Sequence, residues 1–172
     1  FVLRHAGLVP LTQNHLRLNF KVGVIPVDLQ EDGKIFMTQP PGKILQTFTN
    51  TEEVAQVLGL TANNIDLPVQ TASTGFPALL VPINSLRAMQ RIVLNLSLLK
   101  VLLEEAEVDM IYPFTRQTLD QKSSVHARGF APFVGIPEDP ATGSVAGALG
   151  YYLNNKISGD KNIIIEQGYE MK

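Results

Sequence analysis

The chain has 172 residues, with 14 Lys and Arg against 16 Asp and Glu, a formal charge of −2. It has no cysteine, which excludes a disulfide scaffold, a Cys-ligated zinc site, a thiol nucleophile and a two-cysteine racemase. The balanced charge argues against nucleic-acid binding, which draws its affinity from phosphate neutralisation, and three scattered histidines argue against a His-rich metal site.

Charged residues make up only 17% of the chain, below the roughly 25% of an average soluble domain. Part of the surface is therefore expected to be covered by a partner. No stretch reaches the roughly 20 apolar residues that span a bilayer: Ile92–Leu103 is interrupted by Asn95, Ser97 and Lys100. No basic leader precedes an apolar run, so the expected location is cytoplasmic, without membrane contact. The first residues, FVLRHAGL, read as the end of a helix over 1–6 stopped by Gly7 and Pro10.

Leu16–Leu29 alternates, with Leu16, Leu18, Phe20 and Val22 on one face, and predicts two strands or one strand bent at Gly23. Asp32-Gly33 predicts a hairpin turn before a strand over 34–38. Gln39-Pro40-Pro41-Gly42 suits neither a central strand nor a helix start, and predicts a domain boundary between 38 and 39. Thr51-Glu52-Glu53 opens a helix, its acids suiting the positive N-terminus, and Gly59 closes it. Val69–Ile83 predicts two strands separated by Thr74-Gly75.

Helices follow over 84–91 and 95–106, the second buried through Leu96, Leu99, Leu102, Leu103 and Ala106. Glu104, Glu105 and Glu107 read as its solvated end. Strands are expected over 109–114, 124–130 and 162–165, with another beginning at Tyr169–Lys172. A helix over Pro140–Asn154 buries Val145, Leu149 and Tyr152. Short strands and hairpins favour an α+β fold with a mostly antiparallel sheet.

The chemistry concentrates in Ile136–Gly150, IPEDPATGSVAGALG. Thr142, Gly143 and Ser144 stand at the start of a small-residue helix, where backbone N–H groups lack intrahelical partners and the dipole favours anions. One reading is a carboxylate or phosphate site on these three residues, with Asp139 beside it as proton carrier. The other is an Asp/Thr cap followed by residues chosen for packing. No Walker lysine and no three-glycine dinucleotide spacing is present.

HARGFAPFVGIPEDPATGSVAGAL (126–149) strongly resembles the signature of the phenazine-biosynthesis PhzF-like proteins, as do FMTQPPG (36–42), STGFPALLVP (73–82) and EQGYEM (166–171). That family is similar in fold to the diaminopimelate epimerases. The resemblance implies two near-duplicate halves, each a barrel-like sheet around a central helix, here Pro140–Asn154. It implies a cofactor-independent isomerase or epimerase, with neither metal nor organic cofactor, shifting a proton on a small carboxylic acid. Asp139 is then the catalytic residue of this half, and Thr142, Gly143, Ser144 and Ser73 bind substrate. His126 and Arg128, alternating on one strand, face one side; a structural His–Arg face is expected of them.

The family's Asn-Leu-Ser-Glu stretch, with its catalytic glutamate, and its Gly-His-Ala-Thr stretch do not occur here. Residues 1–38 thus resemble a remnant of the first domain, and 39–172 a second domain cut short. The expectation is half an active site, inactive alone, whose partners are the missing first-domain segment and a second copy in a homodimer. The alternative is a non-catalytic carboxylate-binding or structural domain.

Overall fold

The computed structural model describes residues 5–10, 12–66, 68–156 and 162–171. The chain divides into two compact units, Phe1–Pro41 and Gly42–Lys172. In the first, β1 (His15–Phe20), β2 (Gly23–Leu29) and β3 (Ile35–Met37) form an antiparallel sheet in that order. The expected bent strand is a hairpin: Gly23 opens β2 at φ 120°, and Leu16 and Leu18 pair with Val27 and Ile25. Leu16 and Leu18 are half-buried, but Phe20, on the same face, and Val22 are exposed. Asp32-Gly33 turns as expected, with Gly33 at φ 86° donating its N–H to Gln30. Of the helix end expected over 1–6, residues 1–4 lie outside the described residues.

The second unit carries an eight-stranded sheet. Its order runs β10 (Ile136–Asp139), β9 (Gly129–Ala131), β7 (Ile111–Thr115), β6 (Pro77–Pro82), β5 (Val69–Ser73) and β4 (Lys43–Phe48). β8 (Val125–Ala127) pairs with β7 and with β11 (Ile165–Gln167). Most pairs are antiparallel; β6–β7 and β8–β11 are parallel. The order is an open path and does not close into a barrel.

Strand alternation splits the core in two. Leu79, Val81 and Ile111 pack with α1 (Thr51–Val57), α2 (Leu86–Gln90) and α3 (Leu96–Glu105). Ala78, Leu80 and Tyr112 pack with Val145, Leu149 and Tyr152 of α4 (Gly143–Lys156). Each of α1 to α3 is capped by the side chain of the residue before it: Asn50, Ser85 and Asn95 accept N–H bonds from Glu53, Ala88 and Leu98. In α3 the buried residues are Leu99, Leu102 and Leu103; Leu96, in the first turn, is 52% exposed and leaves the expected stripe.

Several strands differ from expectation. β4 was not foreseen in KILQTF, where alternation is weak. The segment 124–130 is two strands, because Arg128 turns aside to pair with Glu138. Strand β10 forms within IPED despite Pro137, because it is an edge strand with a register shift, where a missing N–H is tolerated. The strand expected over 162–165 lies at 165–167. Tyr169 begins no strand: Met171 donates back to Gly168 in a turn, and Gly168 takes φ 86°. Helix α4 starts at Gly143, not Pro140, since the Thr142 carbonyl accepts the first N–H bonds, from Val145 and Ala146 at 3.2 Å.

Candidate active site

Asp139 ends β10, and Thr142 precedes α4. The two are joined: Thr142 Oγ1 donates to Asp139 Oδ2 at 2.8 Å, and the Ala141 N–H donates to Oδ1 at 3.3 Å. Thr142 is buried, whereas Gly143 and Ser144 are exposed in the first turn of α4. A shallow depression of about 280 Å³ opens here, lined by Tyr112, Pro140, Thr142, Gly143, Ala146 and Gln167. A larger hollow of about 690 Å³, beside Asp66, Arg116 and Tyr152, contains none of the expected site residues.

Of the expected residues, Thr142 and Gly143 line this depression, while Asp139 and Ser144 stand beside it in the same short segment but outside its lining. Ser73 stands apart from that depression. It ends β5, and its Oγ accepts the Gly75 N–H at 2.9 Å, closing the turn to β6.

Three residues of this locality were not foreseen. Gln167 donates from Nε2 to the Asp139 carbonyl at 2.7 Å and to Thr142 Oγ1 at 2.8 Å. Its Oε1 accepts from the Tyr112 hydroxyl at 2.6 Å and from the Thr142 N–H at 3.4 Å. Burial, and secondarily the charge of Asp139, hold the Tyr112 hydroxyl well above the usual tyrosine range, so it remains a donor. Gly129 pairs with Asp139 across the ladder, and a Cβ there would lie 2.8 Å from Thr142 Oγ1. Only the EQGYEM stretch drew attention to Gln167, and it carried no chemical assignment.

His126 and Arg128 occupy a separate buried ion cluster. His126 Nδ1 meets Glu166 at 2.8 Å and Nε2 meets Glu170 at 2.9 Å. Arg128 grips Glu138 through Nε and Nη2 at 2.7 and 2.8 Å, donates to the Met89 carbonyl, and lies over the Phe130 ring. Burial would raise the Glu166 carboxyl, but donation from the Leu119 and Asp120 N–H groups, His126 and Ser123 outweighs it and holds the group below its ordinary value.

A depressed carboxyl stabilises the fold above its unfolded value and loses that contribution as pH falls through the folded one. Unfolding midpoints are thus expected to drop as the pH is taken below about 4.5, the ordinary value for Glu166. Glu166→Gln should flatten that fall. Equal slopes in both proteins would remove Glu166 as the acid-sensitive group.

Residues 2–172 match the family of phenazine biosynthesis-like proteins, PhzC-PhzF. The chain belongs to that family. It is similar to the uncharacterized isomerase YfhB of Bacillus subtilis, 33% identical over 158 residues that cover 88% of this chain and 54% of the relative. An uncharacterized isomerase of Deinococcus radiodurans is 35% identical over 142 residues, 78% of this chain and 45% of the relative. The crystal structure of a PhzF-family phenazine biosynthesis protein of Bacillus anthracis superposes with TM-score 0.84 at 30% identity, covering 99% of this chain and 60% of that one. A probable proline racemase of Agrobacterium radiobacter shares the fold at TM-score 0.62 and 12% identity. This PhzF-family chain spans about half the length of the curated relatives it matches. Among its described residues, no helix is long and apolar enough to cross a membrane.

Proposed function

We propose that this chain forms half of a PhzF-type isomerase or epimerase site that moves a proton on a small carboxylic acid without a cofactor. The observation that carries the reading is the Asp139 carboxylate, oriented by Thr142 and Ala141 beside the exposed first turn of α4. The substrate carboxylate sits at the Gly143 and Ser144 N–H groups, where fixed dipoles also stabilise charge developing at the reacting carbon. Asp139 orients the substrate or assists its ionisation. The second acid–base group is a glutamate contributed from outside this sequence. Additional strands from the same source complete a barrel-like wrapping of α4.

In this reading residues 1–38 belong with the other half, Ser73 lines the same cleft, and the protein is a cytoplasmic homodimer. The exposed Phe20, Ile35, Phe36 and Met37 support self-association, since large apolar side chains left in water favour a partner. The names of the relatives, isomerases, support the reaction class.

The test is the isolated 172-residue chain in D2O with a panel of small carboxylic acids bearing an α-hydrogen. The expected result is a self-associated protein by light scattering that washes no deuterium into the α-carbon. Exchange by the isolated chain would overturn the missing-glutamate part of the proposal, and a monodisperse monomer the self-association.

A further inference from the structure

Asp139 accepts from Thr142, but a hydroxyl has one proton and two neighbours here, so its direction must be set by something else. The Gln167 amide sets it. The Asp139 carbonyl can only accept, so the amide edge 2.7 Å away is Nε2. The Thr142 N–H can only donate, so the edge facing it is Oε1. These two constraints agree and fix the amide without ambiguity of its nitrogen and oxygen. The Tyr112 hydroxyl, held protonated by burial, donates to the same Oε1 at 2.6 Å. With Nε2 donating to Thr142 Oγ1, the hydroxyl proton is left for Asp139 Oδ2 at 2.8 Å.

Two glycines make room for this arrangement. A Cβ at Gly129 would come within 2.8 Å of Thr142 Oγ1 and 3.3 Å of Gln167 Nε2. A Cβ at Gly168, already at φ 86°, would come within 2.9 Å of the Pro140 carbonyl. The loop that carries Asp139 therefore lies directly on the backbone of β9 and on the Gln167-Gly168 pair.

We propose that Gln167 is the positioning residue of the site: its amide, pinned by Tyr112, polarises the Thr142 hydroxyl so that its proton holds the Asp139 carboxylate in place. Gln167 also lines the depression, but the part assigned to it acts through Thr142 on Asp139. The inference rests on the assignment of Asp139 as the acting carboxylate, but its geometry is measurable without turnover.

The experiment follows the Asp139 side-chain carboxyl ¹³C resonance and the hydrogen exchange of the Ala141 and Thr142 amides in the labelled full chain. Gln167→Glu keeps the size but turns both N–H donors into acceptors, so the Thr142 hydroxyl is drawn away from Asp139. Its resonance should shift in the same direction as in Thr142→Val, and the Ala141 amide, which donates to Asp139, should exchange roughly fivefold faster, the loss of one hydrogen bond, while the Thr142 amide, whose acceptor Oε1 is retained, should not. Thr142→Ser, which keeps the hydroxyl, should retain the wild-type resonance. The added charge of Gln167→Glu is separated by the double variant with Thr142→Val, which should shift no further than Thr142→Val alone. Tyr112→Phe, a gentler change, should give a smaller shift in the same direction, and serves if Gln167→Glu does not fold.

An Asp139 resonance unmoved by Tyr112→Phe and by any folded Gln167→Glu, or additive shifts in the double variant, would overturn the proposal. The proton-exchange assay with Asp139→Asn tests the function separately. If that variant remains active while the resonance behaves as expected, the functional reading fails and the positioning by Gln167 stands.

Discussion

Asp139→Asn, made in a protein that joins this chain to its glutamate-bearing half, is expected to lower proton exchange at the substrate carbon by roughly 10²- to 10⁴-fold, the usual worth of a positioned acid–base group. Carboxylate affinity should fall far less, because binding is assigned to Gly143 and Ser144. The substitution is mild for the fold. An asparagine oxygen can still accept from the Ala141 N–H or the Thr142 hydroxyl, so the turn before α4 persists while the charge is lost. Solvent deuterium incorporation gives the rate, and a carboxylate titration gives the affinity. Unchanged turnover would reduce Asp139 to a residue that only holds the turn before α4. A loss of affinity as large as the loss of rate would assign it to binding.

Arg128→Leu is expected to produce the largest loss of stability. Arg128 has a side chain only 9% exposed and grips Glu138, whose side chain is 17% exposed. Removing one member of such a pair leaves the other charge without compensation, at about 3–5 kcal/mol in fully buried cases. The partial exposure of Glu138 admits water, so the lower end, about 3 kcal/mol, is expected. The Met89 carbonyl also loses its Arg128 donor, and Glu170 the guanidinium 3.9 Å from it. Urea denaturation checks the value. Arg128→Leu combined with Glu138→Leu should recover much of it, since the orphaned acid is then gone. A single substitution costing under about 1 kcal/mol, the range of exposed pairs, would show that the cluster is solvated.

Local signals in the sequence served well where the structure is local. Asp32-Gly33 and Thr74-Gly75 turn where expected, and Leu99, Leu102 and Leu103 are buried at helical spacing. The segment from Asp139 to Ser144 was legible because the site folds back within a few residues. Partners far along the chain were not legible. Nothing near His126 announces Glu166, 40 residues away, and nothing near Asp139 announces Gln167 or Tyr112. Strand β10 was hidden because Pro137 and two acids read as loop, and its pairing with β9 is imposed by tertiary contact.

His126–Ala131, Ile136–Ser144 and Glu166–Glu170 contact one another directly, through Glu166 on His126, Glu138 on Arg128, Thr142 over Gly129 and Gln167 on Asp139. They are three parts of one locked unit.

The parallel pairing of β11 with β8 involves three residues on each strand, with Glu166 opposite His126 and Gln167 opposite Ala127. Adjacent strand residues face opposite sides, so the acid enters the ion cluster and the amide enters the site. Sliding β11 forward by one position would put Glu166 where Gln167 stands and Ile165 where Glu166 stands, since any one-residue slip moves each side chain to the opposite face. A carboxylate would then lie under Asp139, repelling it, and an apolar side chain would face His126. The electrical character of the two compartments on either side of this short ribbon is thus decided by alignment alone, with no change in composition.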